Sequence, residues 1–162
     1  MIIRHGIHSS PDPNRETKFL GEVHESTRKR IMCSPVFVQQ TVNETYLSEA
    51  SSVSLTRRQV DKALQAWGHD ELCDTAQMLI SEMATNAVRH CTGATFSVKV
   101  SLAEDSLCLA VQDSSPRLPQ VNHSDDDQEN GRGMMIITMI ADTWGVREHP
   151  SGKTVWAHLG LS

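Results

Sequence analysis

The chain has 162 residues, with 15 lysines and arginines against 20 aspartates and glutamates and a formal net charge of -5. This length suits one domain with a substantial core, which aliphatic side chains must fill because only 4 % of residues are aromatic. The acidic balance, without a basic stripe in the sequence, argues against direct nucleic-acid binding. Four scattered cysteines and eight histidines show no metal-ligand spacing, which favours reduced thiols and no zinc site.

The first 35 residues differ from the rest of the sequence. Residues 1–35 carry six lysines and arginines against four acidic residues, which leaves nine against sixteen in residues 36–162. Three prolines punctuate this polar stretch, so we expect an extension that is poorly ordered or dependent on a partner, followed by a single domain. No apolar run reaches the length of a signal peptide or a membrane span, which predicts a cytoplasmic protein without membrane contact.

A strand and a helix are predicted at the start of the domain. Residues 36–47 are rich in valine, threonine and aromatic residues, as strands are. Residues 54–67 place apolar side chains on one helical face, and Gly68 is a natural stop. Asp70 can then cap the next helix.

The strongest helical pattern runs from Glu71 to Cys91. Its apolar residues recur at steps of three and four and predict one buried stripe, made of Leu72, Ala76, Leu79, Ile80, Met83 and Ala87. Glu82 and Asn86 lie one turn apart and flank this stripe. Packing explains neither residue type, whereas a bound cation with phosphates would give both side chains partners. The alternative is a solvated glutamate and a structural asparagine.

Two strands and a carboxylate follow the central helix. Residues 94–102 alternate as a half-buried strand does, and residues 106–111 suit a central strand, with a hairpin at Glu104 and Asp105. Asp113 comes directly after the second strand, where ligand sites on sheets tend to be found. Its alternative is a cap for the turn that begins at Ser114.

A long polar loop precedes the last helix. Residues 114–130 contain two prolines and an acidic run, which predicts either disorder or a functional lid. Gly131, Arg132 and Gly133 then lead into an apolar helix at 134–142, so their backbone N–H groups can approach an anion, although glycines also serve turns alone. Residues 143–149 and 153–159 predict a closing hairpin.

These motifs, in this order, resemble the GHKL ATPase superfamily, and within it the anti-sigma-factor serine kinases of the actinobacterial type. The carrying segments are Ser81–His90, Val111–Asp113, Gly131–Met134, Asp142–Val146 and Gly152–Trp156. The resemblance implies an α+β fold of Bergerat type. In that fold two layers form a sandwich, a mixed and mostly antiparallel sheet with helices packed on one face.

The resemblance also implies roles for the polar residues. Glu82 would be the general base that accepts a proton from the attacking hydroxyl. Asn86 would hold Mg²⁺, and Asp113 would accept a hydrogen bond from the amino group of adenine. Thr154 would share a water with that contact. The remaining ATP-binding positions would be Arg89, His90, Gly131, Arg132 and Gly133.

In that family the domain sequesters a sigma factor, can form a homodimer, and phosphorylates a STAS-type anti-anti-sigma protein on serine. The usual Asp-x-Gly-x-Gly motif is not present here, because Ser114, Ser115 and Pro116 follow Asp113. A second interpretation is therefore a binding module that regulates a partner by contact without turnover. A sensor histidine kinase domain fits less well, because the sequence shows no preceding dimerisation helix with an acceptor histidine.

Overall fold

The computed structural model describes residues 16–17, 38–119 and 132–161. Six strands form one sheet: β1 (Glu16–Thr17), β2 (Val38–Leu47), β3 (Thr95–Ala103), β4 (Ser106–Asp113), β5 (Thr143–His149) and β6 (Gly152–Gly160). Their order across the sheet is β1-β5-β6-β4-β3-β2, and every pairing within the described ranges is antiparallel. The described residues also form three α-helices: α1 (Ala50–Trp67), α2 (Cys73–His90) and α3 (Arg132–Ile140).

The helices and one face of the sheet enclose a single apolar core. In β4 the buried side chains alternate with more exposed ones, as the two-residue period of a strand requires, and β6 does the same. The stripe on α2 is buried as predicted from Ala76 to Ala87, and Leu72 is partly buried. The largest fully buried side chains include Leu64, Leu79, Ile80, Met83, Phe96, Leu107, Leu109, Met134 and Ile137. The predicted α+β fold of Bergerat type is thus confirmed, with an antiparallel rather than a mixed sheet among the described strands.

The start of α2 differs from the prediction. Residues Asp70–Leu72 form a short 3₁₀ turn, and Leu72 precedes α2 without a side-chain cap. The backbone N–H of Leu72 donates to the carbonyl of His69 at 3.1 Å. Because this turn satisfies donors that a side chain would otherwise cap, Asp70 does not cap α2. Gly68 does end α1 as predicted, with a φ of 81°.

The other boundaries move by a few residues. The helix α1 starts at Ala50, four residues before the predicted start, and α3 covers Arg132–Ile140 instead of 134–142. The predicted hairpins are both present. Of the extension 1–35 the structure describes only residues 16–17, which pair with β5, so its expected disorder and the boundary at residue 36 stay predictions. No helix in the described part of the chain is long and apolar enough to cross a membrane.

One half-buried histidine gives stability a pH dependence. His158 on β6 packs edge-on against Trp156, and burial lowers the pKa of its imidazole below the usual value of about 6.5, with the charge of Asp105 opposing. The unfolded chain therefore binds a proton more readily than the folded chain, so stability is complete above the unfolded pKa and declines as the pH falls through it. We expect urea unfolding to give a lower free energy of unfolding at pH 5.5 than at pH 7.5. The H158Q variant should lose less stability than the wild type between these two pH values. An equal loss in both proteins would contradict this expectation.

Candidate functional site

Glu82 and Asn86 lie one turn apart on α2, and both side chains are half-buried. The amide nitrogen of Asn86 contacts the sulfur of Met134 at 3.6 Å, while Glu82 has no hydrogen bond or ion pair with the described residues. Neither polar group is sealed into the apolar interior, because Met83, Ala84 and Ala87 take the core-facing positions of this segment. The helix therefore holds a carboxylate and an amide at the edge of the core.

The first turn of α3 packs directly against these two side chains. A Cβ placed on Gly133 would lie 2.7 Å from Oε2 of Glu82, and 3.5 and 3.6 Å from the two amide atoms of Asn86. A side chain at this position would force the end of the Glu82 side chain to move aside. The N-terminal end of a helix is also where backbone dipoles favour negative charge. The structure thus brings together Glu82, Asn86 and Gly133, with the exposed Arg132 beside them.

The structure describes only the first part of the predicted lid. Residues 114–119 are described, whereas Gly131 and residues 120–130 lie outside the described residues. The lid and the role of Gly131 stay predictions.

Asp113 ends β4 and is only 5 % exposed. Its Oδ1 accepts a hydrogen bond from the backbone N–H of Ser115 at 2.7 Å and another from Nζ of Lys153 at 2.8 Å. The first bond is the turn cap that the sequence offered as the alternative for this residue. The second makes Asp113 one half of a buried ion pair.

Lys153 is a site residue that the sequence analysis did not identify. It is 5 % exposed, lies directly opposite Asp113 in the pairing of β6 with β4, and also donates to the carbonyl of Ser115 at 3.4 Å. The signal was present in the alternation of β6, whose buried positions are Lys153, Val155, Ala157 and Leu159. The alternation does not show which residue of β4 pairs with Lys153.

The structure does not bring Thr154 to Asp113. Successive side chains of a strand point to opposite faces of a sheet, so Thr154 lies on the face opposite to Lys153 and Asp113. Its hydroxyl hydrogen-bonds with Nε2 of His149 at 2.8 Å, and its neighbours across the sheet are Gln112 and Arg147. The expected water-sharing position beside Asp113 belongs to Lys153 instead.

The end of α2 adds positive charge near the same carboxylate. His90 is half-buried and Arg89 is exposed. Desolvation by burial lowers the pKa of His90, and the charges of Lys153, Arg117 and Arg89 lower it further, against a smaller opposing effect of Asp113. The imidazole of His90 therefore lies close to the charges of both Asp113 and Lys153.

The candidate site has two ends of unlike chemistry. One end carries a carboxylate, an amide and the start of a helix, which is a donor set suited to a hard divalent cation and phosphate oxygens. The other end carries the carboxylate of Asp113, which already accepts hydrogen bonds from Ser115 and Lys153. The fold defines a class, that of α+β domains with helices packed on one face of an antiparallel sheet.

The comparison with known families places the chain within that class. Residues 47–159, more than two thirds of the chain, match the model of the histidine kinase-like ATPase domain. The chain therefore belongs to this family, which is part of the GHKL superfamily. Domains of this superfamily generally bind ATP with Mg²⁺. No curated protein matches the chain.

Proposed function

We propose that the protein binds ATP with Mg²⁺ and is a protein-serine kinase that also acts as an anti-sigma factor. One observation carries the proposal: the start of α3 places Gly133 against the side chains of Glu82 and Asn86 on α2. Membership of an ATPase domain family supports the nucleotide. The partners, a sigma factor and a STAS-type anti-anti-sigma protein, rest on the sequence resemblance alone, as does a homodimer.

The end of the site with Glu82 and Asn86, called here the phosphate end, has the groups that phosphoryl transfer needs. The carbonyl oxygen of the Asn86 side chain has no hydrogen bond with the described residues, so it can ligate a cation, and Mg²⁺ would neutralise charge on the phosphates. Glu82 would accept the proton of a serine hydroxyl, and the first turn of α3, with Arg132 and Gly133, would face the phosphates. Phosphoryl transfer demands mainly positioning and charge neutralisation, which these groups can supply.

The second candidate is a binding module that keeps the fold and does not turn over ATP. The buried pair of Asp113 with Lys153 favours it, because the carboxylate proposed to select adenine is already bonded. In that case the protein would regulate its partner by surface contact alone.

Equilibrium dialysis with labelled ATP tests whether the protein binds this nucleotide. We expect saturable binding with a Kd below about 1 mM, the upper range of enzyme substrate constants. N86A should weaken binding about tenfold or more in the presence of Mg²⁺ and much less without it, because only the metal contact is lost. N43A is the matched control, since Asn43 is exposed on β2, a strand at the edge of the sheet.

The appearance of phosphoserine on a captured partner tests the proposed kinase activity. Immobilised protein is incubated with an extract of the source cell and labelled Mg-ATP, and retained polypeptides are analysed for phosphoserine. Saturable ATP binding with a retained but unphosphorylated partner would favour the binding module instead. No saturable binding in any condition would remove the proposed nucleotide.

A further inference from the structure

The ion pair between Asp113 and Lys153 is enclosed on almost every side. The two side chains are 3 % and 6 % exposed, and Nζ lies 2.8 Å from Oδ1. Two charges removed from water must be well paired, because desolvation is costly and only close, hydrogen-bonded geometry offsets it. This pair is therefore a fixed structural contact, unlike a mobile surface ion pair.

The backbone after β4 closes over the pair. Ser115 is 2 % exposed, its N–H donates to Oδ1 of Asp113, and its carbonyl accepts from Lys153 at 3.4 Å. Carboxylate, ammonium and the two backbone groups of Ser115 thus form one closed set of hydrogen bonds. Oδ1, which accepts two of these bonds, has little capacity for another donor.

The residue before Ser115 is held from the opposite side. The Thr92 hydroxyl donates to the carbonyl of Ser114 at 3.2 Å, and the sulfur of Cys91 lies 3.3 Å from the Ser114 hydroxyl. A Cβ on Gly93 would lie 2.7 Å from that same hydroxyl. The strap of residues 113–115 is therefore fixed between β6 and the loop that follows α2.

We infer that Lys153 is an internal competitor for the base of the nucleotide. This inference rests on the proposed function, which assigns Asp113 to the amino group of adenine. In the structure the ammonium of Lys153 takes the place of that amino group as the donor to Asp113, and the strap covers the pair. A base reaches Oδ1 only by displacing Lys153 or the N–H of Ser115.

Two consequences follow for the binding of nucleotides. Affinity comes mainly from the phosphate end, so the protein binds ATP weakly. Because the selecting carboxylate is engaged, the protein also discriminates poorly between ATP and GTP. Lys153 is in this sense the residue that determines base specificity.

The test compares Mg-ATP and Mg-GTP binding by wild type and K153T, using equilibrium dialysis. Threonine removes the ammonium and leaves a small hydroxyl beside the carboxylate. Charge-assisted hydrogen bonds are strong enough that removing the competitor should tighten ATP binding about tenfold or more. GTP binding should change little, so the ratio of the two constants rises from near one. K99T is the matched control, because Lys99 is an exposed lysine on β3 and should change neither constant.

The K153T substitution leaves a buried carboxylate without its cation and can therefore prevent folding. A second variant keeps the test interpretable in that case. The double variant D113N with K153T has no buried charge, and the side-chain carbonyl of the asparagine that replaces Asp113 would still accept from adenine. We expect it to keep the circular dichroism spectrum of the wild type and to bind ATP more tightly than the wild type does.

The possible outcomes separate the inference from the proposed function. Tighter ATP binding by K153T or by the double variant than by the wild type supports the inference. Equal ATP binding by folded variants and wild type overturns the inference and leaves the proposed function standing. Weaker binding by the folded variants overturns the inference as well, because Lys153 would then contact the ligand. Absence of ATP binding in every folded protein overturns both.

Discussion

Replacing Glu82 with glutamine is expected to lower phosphoryl transfer by about a hundredfold or more while Mg-ATP binding stays near that of the wild type. Glutamine keeps the size of the side chain and its fit against Gly133, whose Cα hydrogens leave room for it. It removes the basic oxygen that would accept the proton of the attacking hydroxyl. Binding is retained because the amide of Asn86, one turn away, is untouched.

The measurement is the rate of phosphoserine formation on the captured partner, with ATP binding measured in parallel by dialysis. E104Q is the matched control, because Glu104 is exposed in the hairpin between β3 and β4. A variant E82Q that transfers phosphate at the wild-type rate would remove Glu82 from the role of base. A large loss of ATP binding would instead show that the carboxylate acts in binding.

The two measurements also separate the two candidate functions. If the protein is a kinase, the E82Q variant loses phosphoryl transfer and still binds ATP. If it is a binding module, the wild type already shows no phosphoryl transfer. Because Glu82 has no hydrogen bond or ion pair with the described residues, the substitution should not unfold the protein. The result can therefore be interpreted in terms of chemistry.

The parts of the site that depend on one element could be predicted from the sequence. The spacing of Glu82 and Asn86 against the apolar stripe of α2 is fixed by the helical period, and the structure places both at the edge of the core as expected. The strands were recognisable for the same reason, since alternation is a local pattern. Boundaries were less accurate, because a 3₁₀ turn at Asp70–Leu72 replaces the expected cap through backbone hydrogen bonds alone.

The parts that depend on contacts between distant segments could not be predicted. Thr154 and Lys153 are neighbours in sequence, and the choice between them follows from the register of β6 with β4, which pairs Lys153 with Asp113. A shift of one residue exchanges the two faces of a strand, so the sequence alone does not show which of the two neighbours lies beside Asp113. The close approach of Gly133 to Glu82 likewise depends on how α3 packs on α2.

The register that sets this pair depends on Gly152, and its replacement with alanine should strongly destabilise the protein. Gly152 has a φ of 140°, which side-chain-bearing residues rarely adopt, and a Cβ there would overlap the backbone of Asp113 and Ser114. That backbone belongs to the end of β4 and cannot move aside without breaking the pairing of Asp113 with Lys153. Strained backbone and steric overlap together should lower the free energy of unfolding by about 3 kcal/mol or more.

Gly68 supplies a matched control for this substitution. It also has a positive φ, 81°, but a Cβ there would meet no atom within 4 Å. G68A should therefore cost only the backbone term, about 1–2 kcal/mol. Urea unfolding of wild type, G68A and G152A measures the difference. If the two variants lose equal stability, the contact between Gly152 and the end of β4 does not constrain the strand, and the position of Lys153 opposite Asp113 must be maintained by the rest of the β4–β6 pairing.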